Sequence, residues 1–412
     1  MSECSNRLIY ITANLGSFFT NEIESLVRAF DDVLVITYGE TAEKAGRLSR
    51  EFGFRTRQIS TKLPPSLKEM WALLRWLKLE HVKREIRENC RGSHWLKKYA
   101  AVLRYGHIAI RVDKALNEES FSPSEQVYLY SFWLTHGAYA AALLAERYSA
   151  VKAVSRAHGF DVYLNRNELN YLPFRRYLAE RLDKIFFISE YGRRYFEKLC
   201  LSGGFQSNAM EVVHLGTFKR DTSPAAGART TIVLASCSNV ISLKRLDLII
   251  CLVREVAAIY GDVRWLHIGD GPLRESVKAL AEESLPGRYE LLGQRDNGEI
   301  FSIYAKYRPF FFINLSDSEG IPVSIMEAMS MGIPAIARNV DGNAEIVRDG
   351  VNGFLLPEAI NDDDLRSAAS RIVNLFKDPA GYLAYSSSAV ATWDTAFNAE
   401  KNNEIFINGL KA

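Results

Sequence analysis

Residues 310–354 read FFFINLSDSEGIPVSIMEAMSMGIPAIARNVDGNAEIVRDGVNGF. The run Phe310 to Leu315 has the composition of a fully buried strand, and SDSEG after it has that of a loop. Pro322 stands where a helix opens, PVSIMEAMS continues it, and Gly332 ends it before a second apolar run, PAIAR (334–338). Strand, loop, helix and strand in that order make one βαβ unit of a parallel sheet. Glu319 and the amides of Gly320 and Ile321 then fall at the carboxyl end of a strand and at a helix N-terminus, where open α/β folds bind ligands. Glu327, eight residues on, faces the same crevice from the helix. Two carboxylates so placed accept hydrogen bonds from hydroxyls, which a sugar and a ribose both offer.

The same rhythm continues outward. Before it come LIYIT (8–12), a helix through 21–29, VLVIT (33–37), VYLYSF (127–132), VKAVS (151–155) and KIFFIS (184–189). A polar stretch with Pro and Gly, KRDTSPAAGART (219–230), reads as a linker, and TIVLAS (231–236), WLHIG (265–269) and YELLG (289–293) follow it. The chain of 412 residues is too long for one core, so two doubly wound α/β domains are expected, 1–218 and 219–393. With 51 Lys and Arg against 49 Asp and Glu, the formal charge of +2 lacks the basic excess of a nucleic-acid binder. Five scattered cysteines form no CxxC pair, and the N-terminus has no basic leader or cleavage site, so a cytoplasmic location is expected. Val127 to Ala145 carries no formal charge, but Ser131, Thr135, His136 and Gly137 interrupt it. It reads as strand, turn and helix, not as a membrane span.

Residues 64–114 break the rhythm and read as a helical insertion. Leu67, Met70, Trp71, Leu74 and Leu77 recur at helical spacing, with Lys68, Arg75 and Lys78 on other faces. Residues 62–114 hold 13 Lys and Arg against five Asp and Glu, and three of the six tryptophans, Trp71, Trp76 and Trp95. Such a segment suits the surface of an anionic membrane leaflet. The same periodicity serves a helix packed on its own domain, and patterning alone does not separate the two.

The central stretch resembles the retaining nucleotide-sugar glycosyltransferases of family four, which have the GT-B fold. Their EGxPxxxxEAMxxGxPV signature is matched by Glu319, Gly320, Pro322, Glu327, Ala328, Met329, Gly332 and Pro334, with DGNAEIV (341–347) and DGVNGFLL (349–356) after it. The likeness covers the C-terminal domain well and the N-terminal domain thinly. It implies two Rossmann-like domains facing across a cleft and a last helix, 394–412, crossing back to the first. It also implies donor binding by Glu319, Gly320, Ile321 and Pro322 at the sugar and by Glu327 at the ribose, with Glu345 ordering the next loop.

By the same resemblance SCSNVISLKRLDLII (236–250) is the diphosphate element, with Lys244 as the cation that neutralises the leaving group. Asn239 stands where many relatives have arginine and Arg245 where many have glycine; both join the donor set, as do Gly269 and Gly271 of IGDGPLRESV (268–277). That GxG lacks the third glycine of a dinucleotide fingerprint, Arg274 taking its place, which disfavours a nicotinamide enzyme. SRAHGFDVY (155–163) resembles the family's RxHGxDxY segment, in which the histidine meets the donor sugar; His158 takes that role here, and Arg156 and Asp161 orient it or the acceptor. NLGSFFTNE (14–22) resembles the loop facing the acceptor and offers Gly16 and Phe19, although Phe19 and Glu22 serve equally well to staple the next helix.

No paired carboxylates with metal spacing follow a strand, and NDDD (361–364) reads as a helix start, so transfer without metal or other cofactor is expected, a nucleoside-diphosphate sugar being co-substrate. The resemblance implies a saccharide acceptor, polyprenyl-diphosphate-linked, in bacterial capsule, exopolysaccharide or O-antigen assembly at the inner face of the membrane. A nucleotide-sugar epimerase and a catalytically silent sugar-nucleotide-binding subunit fit the same scaffold.

Overall fold

The computed structural model describes residues 5–61, 65–119, 121–122, 125–147, 151–200, 209–219 and 229–412. Most of the expected linker, 219–230, lies outside them. The chain forms two compact units, Met1–Val213 with Asn403–Ala412, and His214–Asn402.

The first unit holds seven parallel strands, β1 (Asn6–Thr12), β2 (Asp32–Thr37), β3 (Arg55–Gln58), β4 (Gln126–Ser131), β5 (Val151–Ala157), β6 (Lys184–Phe187) and β7 (Met210–Val212), in the order β3-β2-β1-β4-β5-β6-β7. Alternation along each strand splits the core into two layers. Ile9, Ile11, Leu34, Ile36 and Leu129 pack on one face, and Leu8, Tyr10, Val33, Val35, Tyr128 and Tyr130 on the other. The stretch 127–145 is strand β4 followed by the buried helix His136–Ala145, as its sequence predicts. Among the described residues no helix is long and apolar enough to cross a membrane.

The second unit holds six parallel strands, β8 (Ile232–Cys237), β9 (Val263–Ile268), β10 (Tyr289–Leu291), β11 (Phe311–Asn314), β12 (Ala335–Arg338) and β13 (Gly353–Leu356), in the order β10-β9-β8-β11-β12-β13. Both sheets reverse direction of growth once, between β1 and β4 and between β8 and β11. At those points the loops leaving adjacent strands diverge and open a crevice at the carboxyl edge.

The single final helix expected from about Asp394 is two helices, Pro379–Ala396 and Ala399–Lys411. The break exists because Phe397 and Ala399 pair with Thr217 instead of continuing the helix: the Thr217 amide donates to the Phe397 carbonyl at 3.0 Å and the Ala399 amide to the Thr217 carbonyl at 3.1 Å. Asn403–Ala412 then packs on the first unit through Phe406 and Leu410, both fully buried. The Phe406 ring lies 5.1 Å from Tyr130 and 5.0 Å from Phe186, and the Arg156 guanidinium lies 4.0 Å over its face. Burying a side chain of that size contributes about 1.5–3 kcal/mol.

The insertion is three helices, Leu67–Trp76, Glu80–Asn89 and Trp95–Leu116. Trp76 departs from the interfacial role read for it. It is buried, its Nε1 donates to Tyr139 Oη at 2.7 Å, and its ring packs so closely on Gly106 that a Cβ there would fall 2.6 Å from it. On the same helix Leu67, Met70, Trp71 and Leu74 face outward, 73, 44, 68 and 49% exposed. Positions 67, 70, 71 and 74 form one stripe, so the apolar periodicity that usually marks a core face here marks a solvent face.

Candidate functional site

The crevice of the second unit is built from the loops after β8 and β11. After β11, the Asp317 amide donates to the Leu243 carbonyl at 2.8 Å, tying the two loops together. Lys244 Nζ donates to Glu319 Oε1 at 2.6 Å, and Asn314 Nδ2 donates to the same oxygen at 3.1 Å. The Glu319 amide donates to Asp341 Oδ2 at 3.0 Å, and the Ser318 hydroxyl bonds the same carboxylate, which fixes the loop from below. Gly342 is required there, because a Cβ would lie 1.9 Å from the Gly320 carbonyl oxygen. Gly320, Ile321 and Pro322 lead directly into the helix Val323–Ser330, so their backbone lies at its N-terminus.

Glu327, on that helix, is buried and lies close to Cys237 at the end of β8. The Cys237 thiol is pushed up to about 12, by burial first and by the Glu327 charge second, with Lys244 opposing. One anion and one cation thus converge on the end of β8, beside Glu319 from β11.

Asn239 is exposed and its side chain makes no hydrogen bond among the described residues. Gly269 and Gly271 press against its loop: a Cβ at Gly269 would lie 1.9 Å from the Ser238 carbonyl oxygen, and one at Gly271 2.6 Å from that of Val240. Gly269 also has φ +138, which side chains rarely adopt. These glycines shape the loop by close backbone approach.

Arg245 adopts φ 47, a conformation that favours glycine, and its side chain lies against carboxylates. Its Nη2 donates to Asp247 at 2.8 Å and its Nη1 to Asp317 at 3.2 Å; Asp317 also receives Arg338. The Arg245 charge is therefore already offset, whereas Lys244 shares a single carboxylate oxygen with an amide. Glu345 is half-buried on the short helix Asn343–Ile346.

In the first unit, the loop after β5 carries His158 and Asp161, both buried. Asp161 Oδ1 accepts from the His158 amide at 2.7 Å and Oδ2 from the Leu134 amide at 2.8 Å, joining the loops after β5 and β4. Arg175, which sequence reasoning missed, adds two bonds of 2.6 Å, to the carbonyls of Asp161 and Leu134. Its partners are backbone oxygens 14 and 41 residues away, which leave no pattern in the sequence.

The His158 ring lies between Phe132 and Trp133, 4.5 and 4.3 Å from their centroids. Burial holds it below the usual histidine range despite the nearby Asp161, so it is neutral at pH 7. Neither ring nitrogen has a hydrogen-bond partner among the described residues.

Gly16 opens the helix Ser17–Ala29 at the end of β1, beside the switch between β1 and β4. Phe19 does not reach that crevice. It is buried with its ring 5.2 Å from Tyr10 and 5.6 Å from Phe54, the packing role that the sequence left open. Arg156 is likewise withdrawn, 3.6 Å from the buried Glu22 carboxylate, whose Oε1 accepts from the Tyr10 and Tyr130 hydroxyls at 2.7 and 3.0 Å.

Residues 230–378 match the family model described as glycosyl transferases group 1. The chain is similar to an uncharacterised glycosyltransferase of Methanocaldococcus jannaschii, 26% identical over 233 residues, 57% of this chain and 61% of that protein. It is also similar to an amylovoran biosynthesis glycosyltransferase of Erwinia amylovora, 30% identical over 143 residues, 34% of each. Both matches span less than two thirds of the relative's length. Among solved structures, Anabaena HepE in complex with UDP and glucose shares the fold, with a TM-score of 0.68 over 100% of both chains at 17% identity.

Proposed function

The chain is a GT-B-fold relative of the glycosyl transferases group 1, and from that premise we propose that it moves a sugar from a nucleoside-diphosphate sugar to a saccharide hydroxyl. The observation that carries this reading is the meeting of Lys244, Glu319 and Glu327 at the β8/β11 switch, a cation beside two carboxylates at the carboxyl edge of a parallel sheet. The diphosphate of the donor draws Lys244 away from Glu319. Glu319 and the amides of Gly320 and Ile321 then meet hydroxyls of the donor sugar, and Glu327 those of the ribose. Lys244 neutralises charge on the departing diphosphate, the role a metal ion fills elsewhere, and the reaction proceeds without one. Asn239 contributes an uncharged donor to the same phosphates.

In this proposal transfer retains anomeric configuration. The departing phosphate oxygen takes the acceptor proton on the face from which it leaves, so no carboxylate nucleophile is required. His158 offers the donor sugar a neutral imidazole through Nε2, while Nδ1 lies 3.6 Å from Asp161 Oδ2. The Erwinia relative supports a place in bacterial surface-polysaccharide assembly, and the acceptor we propose is a polyprenyl-diphosphate-linked saccharide. The solvent-facing stripe Leu67, Met70, Trp71 and Leu74 supports peripheral attachment to an anionic membrane. Nearby Lys68, Arg75 and Lys78 make no ion pair among the described residues, so their charge is available to lipid headgroups.

The test is transfer from a panel of nucleoside-diphosphate sugars to short lipid-linked saccharides, with Glu319→Ala and Glu327→Ala beside the wild type and EDTA in a parallel series. Loss of transfer in both folded variants, with EDTA without effect, is expected. Full activity in both variants sinks the assignment, and isomerisation of the donor with no acceptor present identifies an epimerase instead.

A further inference from the structure

The helices Leu67–Trp76 and Trp95–Leu116 enclose a cavity of ≈ 470 Å³, within the range of small-molecule sites. Leu73, Ala100, Leu103 and Ile108 form its apolar wall, and Thr61, Arg104 and His107 are its polar and charged residues. Among the described residues no carboxylate lines it. Arg104 is exposed and makes no ion pair or hydrogen bond among the described residues, in contrast to Arg111 two turns on along the same helix face, which binds Glu69 at 3.3 Å. His107 is 7% exposed and its Nε2 has no hydrogen-bond partner among the described residues.

Position narrows the occupant. Tyr105, next to Arg104, has its ring 4.3 Å from His136, which lies 6.4 Å from Tyr38, and these two residues follow β4 and β2. Arg104 therefore stands at the carboxyl edge of the sheet, next to the β1/β4 switch where a ligand of this unit belongs. On the other helix, Leu73 adjoins the exposed stripe Leu67, Met70, Trp71 and Leu74. A ligand that spans these features has an apolar chain on one side and an anion on the other.

We propose that this cavity holds the polyprenyl diphosphate of the acceptor, its first isoprenoid units against Leu73, Leu103 and Ile108 and its phosphate on Arg104 and His107. The apolar wall rejects a free phosphate as full occupant, and the unpaired cation favours a lipid phosphate over a neutral lipid. This site rests on the reading of the acceptor as lipid-linked, and it adds to that reading the residues that select the lipid.

Binding of farnesyl diphosphate, farnesol and inorganic diphosphate is measured by calorimetry with the donor site saturated by a nucleoside diphosphate. Wild type binds farnesyl diphosphate at least tenfold more tightly than either fragment. Arg104→Glu weakens farnesyl diphosphate at least tenfold and leaves farnesol unchanged; Ala100→Trp, which narrows the mouth, weakens both. Circular dichroism and the urea-unfolding midpoint of both variants match wild type, which shows that they fold. Equal affinity for diphosphate and farnesyl diphosphate overturns the site, as does wild-type binding by the two variants together with a wild-type KM for a lipid-linked acceptor. Transfer to lipid-free saccharides alone, with lipid-linked ones refused, overturns instead the acceptor reading on which the site rests.

Discussion

At the carboxyl edge of the second unit's sheet the polar side chains hold one another: Lys244 and Asn314 share Glu319, Arg245 and Arg338 share Asp317, and Asp341 receives Ser318 and the Glu319 amide. At the same edge of the first unit the neutral His158 is wedged between aromatic rings with Nδ1 3.6 Å from Asp161, and the charged groups beneath it, Asp161 and Arg175, hydrogen-bond the backbone of the loops after β4 and β5. The first arrangement suits a ligand rich in charge and hydroxyls, which exchanges one set of polar partners for another at little cost. The second offers a ligand few polar atoms, each of which matters because the site is buried.

The comparison breaks most sharply at Lys244. Lys244→Ala is expected to lower kcat by about 10²–10³, the usual consequence of removing one stabiliser of charge in the transition state, while circular dichroism and the unfolding midpoint change little. A fall in stability with unchanged kcat makes the Lys244–Glu319 pair structural. The counterpart in the first unit is Asp161→Ala, which leaves two buried amides without acceptors and is expected to cost at least about 2 kcal/mol in urea unfolding while nucleoside-diphosphate affinity stays as in wild type. Loss of that affinity ties Asp161 to the donor and erases the contrast.

A pH series sharpens it. Burial, helped by Arg104 and Arg175, lowers His136 to about 3, and burial lowers His267 to about 4, one histidine in each unit. In the unfolded chain both titrate near 6.5, so the unfolded state binds more protons as pH falls. Their contribution to stability is complete above about pH 7 and is lost below 6.5, at about 1.4 kcal/mol per pH unit for each. Denaturant midpoints at pH 7.5 and 5.5 are expected to show the drop, and His136→Gln and His267→Gln each to remove part of it; a midpoint that rises on acidification contradicts the burial account. The smallest effect is expected at Trp71→Ser, within about 0.5 kcal/mol of wild type because the ring is exposed, yet with less protein floating with anionic liposomes. Flotation equal to wild type removes the stripe from the membrane reading.

The second unit was legible in the sequence because its constraints are local. Strand, loop, Pro322, helix and Gly332 follow one another within 25 residues, and Gly269, Gly271 and Gly342 mark close backbone approaches that a Cβ would block. The first unit was legible in its strands, whose alternation is local too, and less so at its edge. Trp76 was read with the interfacial tryptophans of the basic segment yet turns to Tyr139, 63 residues on. Phe19 could reach the crevice or the core, and aromatic partners from β1 and from Phe54 drew it inward. Arg245 looked like a second phosphate cation, and only its positive φ aims it at Asp247 and Asp317. Side chains whose partners are distant backbone or rings carry no motif.

The central claim is that the β8/β11 crevice is a nucleoside-diphosphate-sugar site, and titration calorimetry with a panel of nucleoside diphosphates on wild type, Lys244→Ala and Glu327→Ala tests it most directly. The account predicts one diphosphate bound well by the wild type and at least tenfold more weakly by each variant. Binding of none by the wild type, or equal binding by all three proteins, contradicts it.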